Sequence, residues 1–233
     1  YWRGRLDGAP PVLELPTDRP RPTVQSFRGS SLAVEIPPAL REGLERLARQ
    51  EGATLFTVLL ALFQVLLHRS SGQDDVSLGT PTAGRGWIEI EPLIGFFVNT
   101  LVHRTDLSGN PGFRDLLGRA HRGVVEDQAH QYLPFEKLVE ELSPSRSLSH
   151  TPLFQALLNF NNLPREKVAL EGLTLRSLGA EAETAKLDVT LTLGPVRQGL
   201  AGSLGYALDL FDPPTPARMV GHLRALVEGV VEN

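Results

Sequence analysis

The sequence predicts an α/β fold, a mixed β-sheet covered by helices, and three observations carry that expectation. Alternating strand patterns and helical patterns are interleaved along the chain, with no strict strand–helix–strand rhythm and no internal repeat. The stretch Leu55 to Leu67 is apolar nearly all round, which reads as a central helix buried by its neighbours. Hydrophobic residues make up 41% and charged residues 21% of the 233 positions, the balance of a globular chain rather than of a disordered tail. At this length a chain removes roughly 70–75% of its unfolded surface from water, so one core needs no covalent staples. One domain is expected.

Residues 1–25 carry Pro10, Pro11, Pro16, Pro20 and Pro22, which remove backbone donors and fix φ. The segment is therefore expected to hold no regular element and to run extended over a surface. Tyr1, Trp2, Leu6, Val12, Leu13 and Leu15 are too apolar for a free linker, so it should pack on the body formed by residues 26–233. Phe27 to Ile36 reads as a strand, because Leu32, Val34 and Ile36 alternate with other residues. Pro37-Pro38 opens a helix with an apolar stripe of Leu40, Leu44 and Leu47, and Gly52 ends it. Thr54 is a fair N-cap for the central helix, expected to reach about Arg69.

Val76 to Thr80 reads as a short strand, followed by a loop from Pro81 to Pro92 and a second strand from Phe96 to Arg104. Leu116, Leu117, Ala120 and Val124 predict a helix over Phe113 to His130, and a short helix follows from Pro134 to about Leu142. Phe154 to Phe160, Lys186 to Leu193 and Leu200 to Leu208 are strand candidates, with a weaker one at Leu173 to Leu178. A last helix, Thr215 to Val231, carries Met219, Val220, Leu223, Leu226 and Val227 on one face.

Composition excludes several function classes. The net charge of −4 lacks the basic field of a nucleic-acid binder. Leu55 to Leu67 is too short to cross a bilayer, so no membrane partner is expected. Zero cysteines exclude disulfides, thiolate nucleophiles and cysteine-bound metals, and fit a reducing, cytoplasmic compartment. The histidines His68, His103, His121, His130, His150 and His222 lack HxxxH or HExxH spacing, so no metal is expected. No GxSxG, GxxxxGK[ST] or GxGxxG motif occurs. The chain begins at Tyr1 rather than Met, which is expected of a piece of something longer.

Three segments have unusual composition. Ile94 to Arg104 (IGFFVNTLVHR) is an apolar strand interrupted by Asn99 and Thr100; an Asn there either satisfies neighbouring backbone groups or serves a site. His130 to Glu136 (HQYLPFE) places Pro134 at a helix start with Glu136 in the first turn, as ordinary capping also would. Ser145 to Phe154 reads as a polar loop feeding a strand, and its Arg146 suits a carboxylate, a phosphate or plain solvent.

In this order and spacing, the segments resemble the condensation domains of nonribosomal peptide synthetases. IGFFVNTLVHR is similar to the family's (I/V)GxFVNTxxxR strand motif. HQYLPFE resembles HQDYPFE, with Tyr132-Leu133 where Asp-Tyr is common, and RSLSHTPLFQ at Arg146 to Gln155 resembles RDxSRNPLFQ, departing at Ser147, His150 and Thr151. The opening YWRGRLDGAPPVLELPTDRPRP and the closing ALDLFDPPTPARMVGHL also match, so the resemblance runs from Tyr1 to about Leu226.

The resemblance implies a chloramphenicol-acetyltransferase-like lobe. The family's catalytic HHxxxDG lies in its N-terminal half, and no His-His pair occurs among these 233 residues, so the expectation is the C-terminal lobe alone, with no catalytic residue of its own. Two such lobes would form a V with a tunnel, where an acceptor amine attacks a donor thioester to form an amide. The substrates would be tethered to the phosphopantetheine of donor and acceptor peptidyl carrier proteins, with no cofactor bound directly. Further partners would be the N-terminal lobe and a neighbouring adenylation domain.

Within this lobe, Asn99 and Thr100 are expected to hold a neighbouring loop or a substrate amide. Gln131 and Glu136, with His130, Pro134 and Phe135, would structure the loop beneath the tunnel, and Arg104 and Arg146 would be ion-pair partners. The alternatives are a non-catalytic carrier-docking lobe, an epimerisation domain of the same fold, and an acyltransferase using coenzyme A.

Overall fold

Apolar alternation builds the sheet of the computed structural model, which describes residues 1–142, 147–162, 173 and 184–232. Six strands, β1 (Gly29–Ile36), β2 (Asp75–Thr82), β3 (Asn99–Asp106), β4 (Ala156–Phe160), β5 (Val189–Val196) and β6 (Gly199–Ala207), join in the order β1-β6-β5-β4-β2-β3. β4 runs parallel to both β2 and β5, while the other neighbours are antiparallel, so the sheet is mixed as expected. Val189, Leu191 and Leu193 all bury in the main core, as a period-two strand requires, whereas Leu187 lies before β5, which starts three residues later than the sequence suggests, and joins a smaller cluster.

The helices are α1 (Trp2–Leu6), α2 (Pro38–Gln50), α3 (Leu55–Ser71), α4 (Phe113–Ala129), α5 (Phe135–Leu142) and α6 (Pro214–Glu232). α3 is the central element: Thr54 Oγ1 caps it by accepting from Thr57 N at 3.1 Å, and Gly72 ends it at φ 73°. Its residues Val58 to Phe63 are buried among α2, α4, α6 and the inner strand residues Val76, Leu78, Ala156, Leu158, Leu191 and Leu204. A second, smaller apolar cluster joins Trp2, Leu6, Val102, Leu138, Phe154 and Leu187 under α1 and α5.

Three expectations need correction. Trp2–Leu6 is a helix, not extended chain: the first proline is Pro10, and Trp2 and Leu6, one turn apart, bury on the same side. From Leu13 onward, Leu13 and Leu15 are buried and Asp18 N donates to Leu210 O at 2.9 Å. The second strand starts at Asn99 rather than Phe96, because its partner β2 ends at Thr82, opposite Asn99, and Gly84 (φ 63°) turns the chain away. Phe96 and Val98 are exposed as a result. β1 likewise begins two residues late, after Phe27 at φ 59°. The weak strand candidate Leu173 to Leu178 lies outside the described residues apart from Leu173.

Candidate functional site

Asn99, the first residue of β3, joins that strand to the HQYLPFE loop. Its Nδ2 donates to Gln131 O at 2.8 Å and to Leu133 O at 2.9 Å. Its Oδ1 accepts from Thr100 N at 2.8 Å and from Phe135 N at 3.0 Å, and the latter is a first-turn donor of α5 with no partner inside the helix. One amide thus uses both ends to fix a loop and a helix start. Gln131 completes the link, its Oε1 accepting from Thr82 Oγ1 at 3.1 Å.

The other expected residues have clear places. His130 ends α4, its ring stacked on Tyr1 at 3.9 Å and its carbonyl accepting from Trp2 Nε1 at 3.2 Å. Pro134 O accepts from Lys137 N and Leu138 N at the start of α5, and the Phe135 ring lies 5.4 Å from that of Phe154. Glu136 is exposed in the first turn of α5, where the helix dipole favours a negative charge. Arg104 forks onto Asp75 (Nη2 to Oδ2, 2.6 Å) and reaches Asp7 O at 2.6 Å, which ties α1 to the sheet edge. The Asp75 hydrogen bond raises its guanidinium further above the usual range. Arg104 is thus paired with a carboxylate at the sheet edge. Arg146 lies outside the described residues.

A buried polar network adjoins this cluster, and the sequence motifs do not announce it. Asp127 on α4 is fully buried and accepts from Tyr1 OH at 2.6 Å and from Arg5 Nε at 3.2 Å. Its second oxygen meets His103 Nδ1 at 2.7 Å, and His103 Nε2 meets Thr80 Oγ1 at 3.0 Å. Burial, followed by the bond to Asp127, pushes the Tyr1 phenol well above its ordinary range. One signal was available in the sequence: Asp127 continues the apolar stripe Leu116, Ala120, Val124 of α4, where a carboxylate is out of place unless partnered. Arg21 and Asp188 form a second inward pair, holding the opening segment to the start of β5.

Thr80 and His103 line a cavity of about 470 Å³ at the C-terminal ends of β2 and β4. Phe56, Leu101 and Phe160 supply apolar walls, and Thr82, Gln128 and Asn162 add polar atoms. Beside it, the loop 83–98 is organised by Arg85, which donates to Ile90 O at 2.6 Å and stacks on Phe97 at 4.3 Å. The same loop leaves Trp87, Ile88, Ile94 and Phe96 in solvent, with Ile94 fully exposed. Among the described residues no group of three or more His, Asp or Glu could hold a metal ion, and no single helix is long and apolar enough to cross a membrane.

The sequence model of the family described as the condensation domain matches residues 1–233, the whole chain. This chain belongs to the condensation domain family. Similar proteins include one of the linear gramicidin synthase subunits of Brevibacillus parabrevis, 50% identical over 100% of this chain and 5% of that protein. A solved complex of the X-domain and OxyB from teicoplanin biosynthesis matches with a TM-score of 0.90 at 32% identity, covering 100% of this chain and 52% of the X-domain chain. A holo four-domain nonribosomal peptide synthetase bound to AMP and glycine matches at 0.87 and 30%, with 100% and 19% covered. The chain therefore spans about one-twentieth of the gramicidin synthase protein and about half of the X-domain chain. The mixed sheet with its helices is the chloramphenicol-acetyltransferase-like architecture of condensation domains.

Proposed function

We propose that this chain is the C-terminal lobe of a condensation domain and supplies one wall of the tunnel in which an amide bond forms. The reactants are a donor acyl or peptidyl thioester and an acceptor aminoacyl thioester, each on the phosphopantetheine of a peptidyl carrier protein. The observation that carries this reading is the Asn99 clamp, which holds a family motif loop against the strand end beside a 470 Å³ cavity. Positioning two tethered reactants contributes up to about 7–11 kcal/mol of barrier reduction in ideal geometry, which is the task a rigid wall performs. The exposed apolar residues Trp87, Ile88, Ile94 and Phe96 suit coverage by the N-terminal lobe.

No His-His pair is present in the sequence, so the HHxxxDG chemistry comes from outside these residues, and the chain alone forms no amide. An adenylation domain and the carriers are its neighbours in the assembly, in a cytoplasmic setting. A cavity-filling variant tests the wall. Ala83 is exposed and lines the cavity, so Ala83→Trp adds bulk there without entering the core. In the intact domain it should block coupling of loaded carriers while leaving the melting temperature unchanged; full coupling would reject the tunnel reading. A second reading, a non-catalytic docking lobe, draws on the similar X-domain solved in complex with OxyB. An intact domain that binds carriers yet makes no amide would select it.

A further inference from the structure

We propose that Thr80, polarised by the His103–Asp127 pair behind it, takes up the proton of the attacking amine inside the cavity. The inference rests on the amide-forming reading and adds to it a residue that handles the proton.

The hydrogen bonds set the direction. Asp127 receives Arg5 Nε and Tyr1 OH on one oxygen, so it is an acceptor held as a carboxylate by an ion pair. His103 must then donate from Nδ1 to the other oxygen, at 2.7 Å, which leaves the lone pair of Nε2 facing Thr80 Oγ1 at 3.0 Å. Thr80 turns its proton toward the imidazole, and its oxygen lone pairs are left for the cavity. A group presented in this way accepts a hydrogen bond, and an amine is the reactant that has one to give.

The surroundings support proton transfer more than packing. Thr80, His103 and Asp127 are 3%, 2% and 0% exposed, yet Thr80 and His103 both border the cavity. Burying a carboxylate and an imidazole costs desolvation free energy that apolar side chains of similar volume avoid. The groups facing His103 come from every element around it: Arg5 and Tyr1 reach it through Asp127, Gln64 of α3 donates to its carbonyl at 3.4 Å, and the Phe56 ring lies 6.0 Å from its own.

The step balances without a further reactant. The amine nitrogen attacks the thioester carbonyl carbon, the N–C bond forms, and the carbonyl π pair moves to oxygen. The nitrogen's proton passes to Thr80 Oγ1 while the threonine's own proton passes to His103 Nε2, giving an imidazolium against the Asp127 carboxylate. The carbonyl reforms, the C–S bond breaks with its pair on sulfur, and the proton returns through Thr80 to the thiolate. Amine and thioester become amide and thiol.

The test uses the intact condensation domain with carrier-loaded substrates in single turnover. Thr80→Val should lower the coupling rate by about 10²–10⁴-fold, the range of acid–base contributions, with acceptor KM unchanged, and Thr80→Ser should recover to within about tenfold of wild type. His103→Gln should remove the acid limb of the pH–rate profile without lowering the melting temperature in proportion. Wild-type rates in Thr80→Val, or an unchanged pH profile in His103→Gln, would overturn the proposal and leave the amide-forming reading intact. A wild-type domain that forms no amide defeats that parent reading instead. For that case the ¹⁵N resonance of His103 Nε2 is followed while glycinamide is added: a shift in wild type that Thr80→Val abolishes supports the amine site, and no shift rejects it.

Discussion

Replacing Asn99 with alanine should loosen the motif loop by an amount that follows from its bonds. The side chain makes three contacts across the gap, to Gln131 O, Leu133 O and Phe135 N, at 2.8, 2.9 and 3.0 Å. Net hydrogen-bond contributions run ~0.5–1.5 kcal/mol each, for a sum of ~1.5–4.5 kcal/mol. Leu133 is 41% exposed, so water replaces part of its loss and the lower half of that range applies, about 2 kcal/mol. For a chain of this size that is a melting-temperature drop of about 4–8 °C. If the loss is local, amide exchange at Phe135 should accelerate about 30-fold, since ~1.4 kcal/mol is a factor of ten.

Asn99→Asp separates the two ends of the amide. It keeps the acceptor for Phe135 N but puts a carboxylate against two carbonyls, so the Phe135 amide should stay protected while the Gln131–Leu133 stretch opens. Differential scanning calorimetry and hydrogen exchange read both effects. An Asn99→Ala protein with wild-type melting and wild-type protection at Phe135 would refute the clamp.

Arg21→Ala should destabilise by about 3–5 kcal/mol, because it leaves the nearly inaccessible Asp188 carboxylate unpaired. Asp188→Asn should cost less, since Arg21 is 20% exposed and its guanidinium can turn to water; denaturant unfolding that ranks the two in the opposite order counts against this. Gly79→Ala would drive a Cβ into the Phe154 ring, an overpacking cost of about 1–3 kcal/mol that Phe154→Leu should partly relieve in a double-mutant cycle. Tyr1 titrates above its ordinary value of 10.0 in the folded chain, so the native state keeps the phenol proton longer than the unfolded one. Its stabilisation is present below about pH 10 and is lost as pH rises further, so stability should fall more steeply there in wild type than in Tyr1→Phe.

The legibility of this molecule divides along contact range. α3 was readable because its burial is written into consecutive residues, and Thr54 and Gly72 mark its ends in the sequence itself. The start of β3 was not, since Ile94 to Val98 is as apolar as a strand and only the end of β2 at Thr82 decides where pairing stops. α1 was hidden by the prolines that follow it, although none falls within Trp2–Leu6. At the site, an Asn inside an apolar run and a Pro-Phe-Glu helix start could be picked out separately. That one amide spans both, across 36 positions, follows only from the packing of α5 against β3. His103 and Asp127 read as a stray imidazole and a stray acid until α4 lies on β3.

Half of an active site should be silent with loaded carriers until its other half is supplied. A donor aminoacyl carrier and an acceptor aminoacyl carrier are mixed with this chain, and dipeptidyl product is read by mass spectrometry before and after the HHxxxDG-bearing half is added in trans. No dipeptide is expected from the chain alone, and dipeptide should appear once both halves are present. Dipeptide formed by the chain by itself would contradict its assignment as one lobe of a two-lobed active site.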